Sequence, residues 1–124
     1  MRPKIAVVED NPDNRLLVRV LLEDRYEISE FETGMEVVRG LLQDLPDLVL
    51  MDISLPEMAG TEVLRWIRGQ ELLKDLPVVA LTAHAMAGDR EKYLAEGFDD
   101  YLTKPITDES ILLETISRCL EPVR

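Results

Sequence analysis

Four places in this 124-residue chain carry side chains that could do chemistry together: the acidic pair Glu9-Asp10, the single acid Asp52, the hydroxyl of Thr82, and Lys104 followed by Pro105. Two carboxylates about 4 Å apart repel by roughly 4 kcal/mol at an effective dielectric near 20. Three of them in one place therefore need protons or a cation. A ligand set of oxygens, with no Cys or His, favours a hard divalent ion, and Mg²⁺ keeps several waters and leaves room for a phosphoryl group. Lys104 and Thr82 could then hold two oxygens of a transferring phosphoryl group. A carboxylate can itself be the nucleophile, giving an acyl phosphate.

That chemistry requires elements that bring the four places to one rim. Three short apolar runs without alternation, Ile5–Val8, Leu48–Met51 and Val78–Leu81, have the length of strands buried on both faces of a parallel sheet. Tyr26–Phe31, interrupted by Glu27 and Glu30, and the short Tyr101–Leu102 read as edge strands. Between them lie helix-period segments: Leu16, Leu17, Val20 and Leu21; Val37, Val38, Leu41 and Leu42; Val63, Leu64 and Ile67; Met86 to Glu96, with Tyr93 and Leu94 its apolar pair; and Ile111, Leu112, Ile116, Cys119 and Leu120. Pro12 after Asn11 suits a first helical position, Gly97 a helix end, and Thr107 a cap ahead of Asp108 and Glu109. Gly40 falls inside a helical pattern without an evident reason.

The pattern is (βα)₅, an α/β domain with a five-stranded parallel sheet in the doubly wound order 2-1-3-4-5, helices on both faces and the two weak strands at the edges. Ligands of such sheets bind beyond the carboxyl ends of the strands, at the switch between strands one and three. The first run ends in Glu9-Asp10, the third strand in Asp52 and the fourth in Thr82, and the fifth is followed by Lys104-Pro105. The rim of the fold is where the reactive groups collect.

Composition narrows the function classes. Fourteen Lys and Arg against 25 Asp and Glu give a net charge of −11, which argues against a phosphate-backbone binder and against attachment to anionic lipid. One cysteine, Cys119, cannot form an internal disulfide. No apolar run approaches a membrane span or a signal-peptide core. The expectation is one cytoplasmic domain over residues 1–124, with no effector domain.

In that order and spacing, Val8-Glu9-Asp10-Asn11, Leu50-Met51-Asp52, Leu55-Pro56-Glu57-Met58-Ala59-Gly60, Leu81-Thr82-Ala83 and Tyr101-Leu102-Thr103-Lys104-Pro105 resemble the receiver domain of two-component response regulators. The resemblance implies that Asp52 is the phosphoacceptor, that Glu9, Asp10, Asp52 and the backbone carbonyl of Ser54 hold Mg²⁺, and that Thr82 and Lys104 contact the phosphoryl group. It further implies a switch made by Thr82 and Tyr101 and a cis bond before Pro105. Ser54 and His84 would flank the path of an attacking water and set the lifetime of the phosphoryl group. Such a chain takes its phosphoryl group from a sensor histidine kinase or a histidine phosphotransfer protein and catalyses only its own phosphorylation and dephosphorylation. It signals to a downstream protein through the face of the fourth helix, fifth strand and fifth helix. Glu9 stands where many receivers have Asp, and Ala59 replaces an acid at a surface position with little at stake.

Singly, each of these residues has an ordinary reading. A strand-end Asp is often a helix cap, a Thr there a hydroxyl turn, a Lys a solvated charge, Tyr101 core or edge cover, and a lone His a surface residue. Two other functions share parts of the set. A haloacid-dehalogenase-type hydrolase also uses a strand-end Asp, a hydroxyl, a Lys and Mg²⁺, but it needs Asp-x-Asp, and here the residues are Asp52-Ile53-Ser54. A flavodoxin-like flavin module needs a phosphate cradle where Glu9-Asp10-Asn11-Pro12-Asp13 would repel phosphate.

Overall fold

Strands β3 (Leu48–Asp52) and β4 (Val78–Thr82) are buried at every position, and β1 (Lys4–Val8) at all but its first. Uninterrupted apolar runs fold this way only when both faces of the sheet are covered. In the computed structural model, which describes residues 2–83, 88–106 and 108–120, they form the centre of a parallel sheet flanked by β2 (Glu27–Phe31) and β5 (Asp100–Thr103). The order is β2-β1-β3-β4-β5, the doubly wound arrangement expected. Helices α1 (Pro12–Leu22), α2 (Gly34–Gly40), α3 (Gly60–Arg68), α4 (Asp89–Glu96) and α5 (Glu109–Leu120) make the connections.

Strand alternation splits the core in two. Ala6, Val8, Val49, Met51, Val78 and Ala80 pack under α2, α3 and α4, whereas Ile5, Val7, Leu48, Leu50, Val79 and Leu81 pack under α1 and α5. Continuing the alternation, Asp52 follows Leu48 and Leu50 to the second face, and Thr82 follows Val78 and Ala80 to the first.

The helices hold the differences from the sequence reading. In α1 the buried residues are Val18 and Leu22, while Leu16 and Val20 are each 57% exposed and Leu17 37%. Of the expected stripe of Leu16, Leu17, Val20 and Leu21, the first three therefore face solvent, and Leu21 packs against the core. Apolar residues run almost all round this helix, so periodicity alone does not select its inner face. Asn11 caps α1 through Asp13 and Asn14, with Pro12 in the first turn as expected. At α5 it is Asp108 whose carboxylate accepts from the amides of Ser110 and Ile111, so the cap lies one residue later than expected, and Thr107 lies outside the described residues. The described part of α4 begins at Asp89, and the expected start at Met86 lies outside the described residues. Gly40 acquires a reason: it ends α2 where the chain tightens into a 3₁₀ turn at Leu41–Gln43, and a Cβ there would sit 3.3 Å from the Phe31 ring.

Arg68, at the end of α3, binds several elements at once. Its guanidinium donates to the carbonyls of Lys74, Leu76 and Gly97 and to the Asp99 carboxylate. Gly97, at φ +114°, closes α4 in the left-handed conformation that glycine adopts without steric cost.

Candidate functional site: the rim at the strand ends

The sheet register brings the expected groups to one edge. Val8 is paired with Met51, so Glu9 and Asp52 leave neighbouring strands at the same height, and Asp52 is paired with Leu81, one residue before Thr82. Glu9 and Asp52 are 1% and 2% exposed, whereas Asp10 is exposed. One carboxylate oxygen from each of Glu9, Asp10 and Asp52 lies within 4.8 Å of the others. The three oxygens are close enough to share a cation, and their oxygen-only chemistry fits Mg²⁺.

Lys104 joins the two buried acids. Its ammonium lies 3.1 Å from Glu9 Oε1 and 3.1 Å from Asp52 Oδ2. The remaining oxygens are held by the backbone: Ser54 N–H donates to Asp52 Oδ1 at 3.0 Å, and Asn11 N–H to Glu9 Oε2 at 3.2 Å. Arg15 fixes the main chain beneath by donating to the Glu9 carbonyl at 2.9 Å. Burial, then the bond to Asp52, raises Glu9 from 4.5 to about 7 against the opposing pull of the Asn11 amide and Lys104. Lys104 is desolvated, which works against its charge, yet its bonds to Glu9 and Asp52 prevail and raise its pKa. Near neutrality Glu9 is thus partly protonated within a cluster that a metal would otherwise neutralise.

The loop after β3 is set by a close approach. Gly60 N–H donates to the Ile53 carbonyl at 3.0 Å, and a Cβ on Gly60 would lie 2.4 Å from the Asp52 carbonyl oxygen. Between them Glu57 has φ +67° and Met58 N–H donates back to Pro56, a tight three-residue turn that strains a residue bearing a Cβ. Ala59 occupies the N-cap of α3 with no side-chain bond to the helix. The Gly60 amide is met by the Ile53 carbonyl and the Glu62 and Val63 amides by that of Ala59, and an Asp, Asn or Ser there would add the side-chain cap that Ala59 lacks.

Thr82, 4% exposed, stands with a different set of neighbours. Its Oγ1 lies 3.3 Å from the hydroxyl of Tyr93 on α4, and the Tyr93 ring is tilted against the half-buried Tyr101 at 5.9 Å between centroids. In the sequence Tyr93 is one of the apolar pair of the fourth helix. The signal that could have marked it is general: a buried tyrosine hydroxyl requires a partner. The bond before Pro105 is cis, as expected. Lys104 N–H donates to the Thr82 carbonyl at 2.7 Å, so the lysine and the threonine are also joined through the main chain. Ser54 contributes its amide, and its side chain is exposed; His84 lies outside the described residues.

The model of the response regulator receiver domain matches residues 5–116. The sensor protein GacS of Pseudomonas syringae is 45% identical over 113 residues, 88% of this chain but only 12% of that protein's length. The polar-differentiation response regulator DivK of Brucella ovis is 42% identical over 108 residues, covering 86% of this chain and 88% of that protein. Among solved structures, the receiver domain of the Pseudomonas aeruginosa sensor histidine kinase PA1611, with a magnesium ion coordinated in its active-site cleft, superposes with a TM-score of 0.87 at 36% identity, over 97% of this chain and 98% of that one. Among the described residues no helix is long and apolar enough to cross a membrane. A family model spanning both core faces and the whole rim, with relatives above 40% identity over most of the chain, makes this protein a member of the response regulator receiver domain family.

Proposed function

We propose that Asp52 is the phosphoacceptor of this receiver and that the chain promotes only its own phosphorylation and dephosphorylation, at that residue. The observation that carries this reading is the single ammonium of Lys104 set 3.1 Å from both Glu9 and Asp52. With Oδ1 of Asp52 held by Ser54 N–H, Oδ2 is the oxygen that attacks. It bonds to the phosphorus of a phosphohistidine on a sensor kinase or phosphotransfer protein while the P–N bond breaks and the imidazole leaves with its electron pair. Lys104 exchanges the carboxylate for a phosphoryl oxygen, and the Thr82 hydroxyl takes another. Held by Glu9, Asp10, Asp52 and the Ser54 carbonyl, Mg²⁺ would neutralise charge and template the phosphoryl oxygens. In hydrolysis water attacks phosphorus, the bond from phosphorus to Asp52 Oδ2 breaks and the carboxylate returns, and the family resemblance implies that Ser54 and His84 tune its rate.

Phosphorylation adds about −1.5 to −2 charges beside Thr82 and Tyr101. The readout is a change in the α4–β5–α5 face, where a groove of about 490 Å³ runs past Arg90, Tyr101, Ile111 and Arg118, and a downstream protein binds there. The test is Mg²⁺-dependent labelling by acetyl phosphate: Asp52→Asn should abolish it, and undiminished labelling would overturn the assignment.

A further inference from the structure

Helix α4 is attached to the core in an unusual way. Four residues of α3 are buried, Gly60, Val63, Leu64 and Ile67, whereas among its described residues α4 buries Tyr93 alone. The helix is eight residues long and lies between two glycines with positive φ, Gly88 at +90° and Gly97 at +114°. That buried residue packs edge-on against Phe98 at 6.1 Å and tilted against Tyr101 at 5.9 Å, and the exposed Arg90 adds an ion pair to Asp100 at 3.3 Å. The same side chain reaches the sheet rim, its hydroxyl 3.3 Å from Thr82 Oγ1 in a buried setting. One residue thus serves both as the core contact of a helix and as a hydrogen-bond partner of the threonine assigned above to the phosphoryl group.

The geometry points to Tyr93 as a positioning residue for the phosphoryl-transfer site: its hydroxyl holds Thr82 turned toward α4 in the unphosphorylated chain and so sets the balance between the resting and phosphoryl-bound states. This rests on the reading of Asp52 and Thr82 given above. Alternation along β4 places Thr82 on the sheet face covered by α4, and Asp52 lies on the other. For its hydroxyl to meet a phosphoryl group on Asp52, Thr82 must rotate out of reach of Tyr93. The bond between the two hydroxyls is then lost, and Tyr93 must find another partner or shift within its pocket. Because Tyr93 is the buried anchor of α4, that event is felt directly by the helix. The hydroxyl–hydroxyl bond is neutral and long, so its contribution is modest. That is the range in which a two-state balance stays adjustable.

The experiment uses the full chain and Tyr93→Phe, which keeps the ring packing and removes the hydroxyl. Affinity for beryllofluoride in the presence of Mg²⁺ is measured by titration calorimetry for the wild type, Tyr93→Phe, Thr82→Ala and the double variant. Tyr93→Phe should bind about two- to tenfold more tightly than wild type, and the gain should vanish in the Thr82→Ala background. A merely structural role would not give that dependence on Thr82. No gain, weaker binding, or a gain that persists without the Thr82 hydroxyl overturns the proposal. A wild type that binds no beryllofluoride overturns the assignment of Asp52 instead. A second measurement needs no phosphoryl mimic: three-bond couplings of Thr82 by NMR should show its χ1 population redistributed in unphosphorylated Tyr93→Phe, and an unchanged population equally overturns the proposal.

Discussion

The rim of the sheet has two halves built from opposite materials. On the β1–β3 side, the buried acids Glu9 and Asp52 and the half-buried Lys104 are locked by bonds of 3.0–3.2 Å to one another and to the backbone. On the β4–β5 side, Thr82, Tyr93 and Tyr101 are neutral, and the bond between the first two is 3.3 Å long. Charge-assisted bonds in a desolvated site are strong and hold geometry. A neutral bond between hydroxyls contributes about 1 kcal/mol and can be exchanged. The two halves divide the labour: the charged half fixes where a reacting atom sits, and the neutral half can change its arrangement without disturbing it.

The largest effect should come from removing the cation of the charged half. Lys104→Met leaves two buried carboxylates with no compensating charge, which should cost about 3 kcal/mol at pH 8. The loss should be much smaller at pH 5, where Glu9 holds a proton; equal losses in denaturant titrations at the two pH values would show that the charges are not coupled. The same pair gives the wild type a pH dependence. Glu9 is raised from 4.5 to about 7, so across that interval the folded chain holds a proton that the unfolded chain has lost. The contribution of this group to stability is therefore full below about pH 4.5 and is lost as pH rises toward 7. Glu9→Gln should remove that decline. Mg²⁺, which must displace the proton, should bind more tightly as pH rises to about 7, with proton release visible in calorimetry.

Next in size is Gly60→Ala. Its Cβ would press on the Asp52 carbonyl, and relieving the overlap should cost about 2 kcal/mol of stability and lower the labelling of Asp52. Unchanged labelling would mean that the charged half tolerates a shift of its backbone. Smaller and opposite in sign, Ala59→Asn should cap α3 and stabilise the chain by about 1 kcal/mol, read as a raised thermal midpoint. As a control outside both halves, Leu16→Ser on the exposed side of α1 should change stability by less than about 0.5 kcal/mol. A larger loss would mean that this side is covered.

The two halves also differed in how far the sequence revealed them. The charged half was legible because unbroken apolar runs mark buried strands, and the residue after each run must emerge at the rim: Val8 leads to Glu9, and Met51 to Asp52. Thr82 was legible in position by the same logic, but its partner was not. Tyr93 lies in the least periodic helix, and nothing in a sequence tells a tyrosine that fills space from one whose hydroxyl reaches a strand end. The inner face of α1 was misread for a related reason. Leu16, Leu17, Val18, Val20, Leu21 and Leu22 satisfy helical spacing on several sides, and only the position of the helix over the sheet selects Val18 and Leu22. The cap of α5 turned on one residue, since Thr107 and Asp108 are both able to cap, and Asp108 reaches the two amides.

The guanidinium of Arg68 has a mechanical consequence for the neutral half. By holding the carbonyls of Leu76 and Gly97 together with the Asp99 carboxylate, which itself accepts from Val78 N–H, it rivets the carboxyl end of α4 to the start of β4. Nearer the other end Arg90 reaches the Asp100 carboxylate on β5 at 3.3 Å, so α4 is held at two points. Tyr93, its buried residue, lies between them, and a displacement there loads both attachments to the sheet.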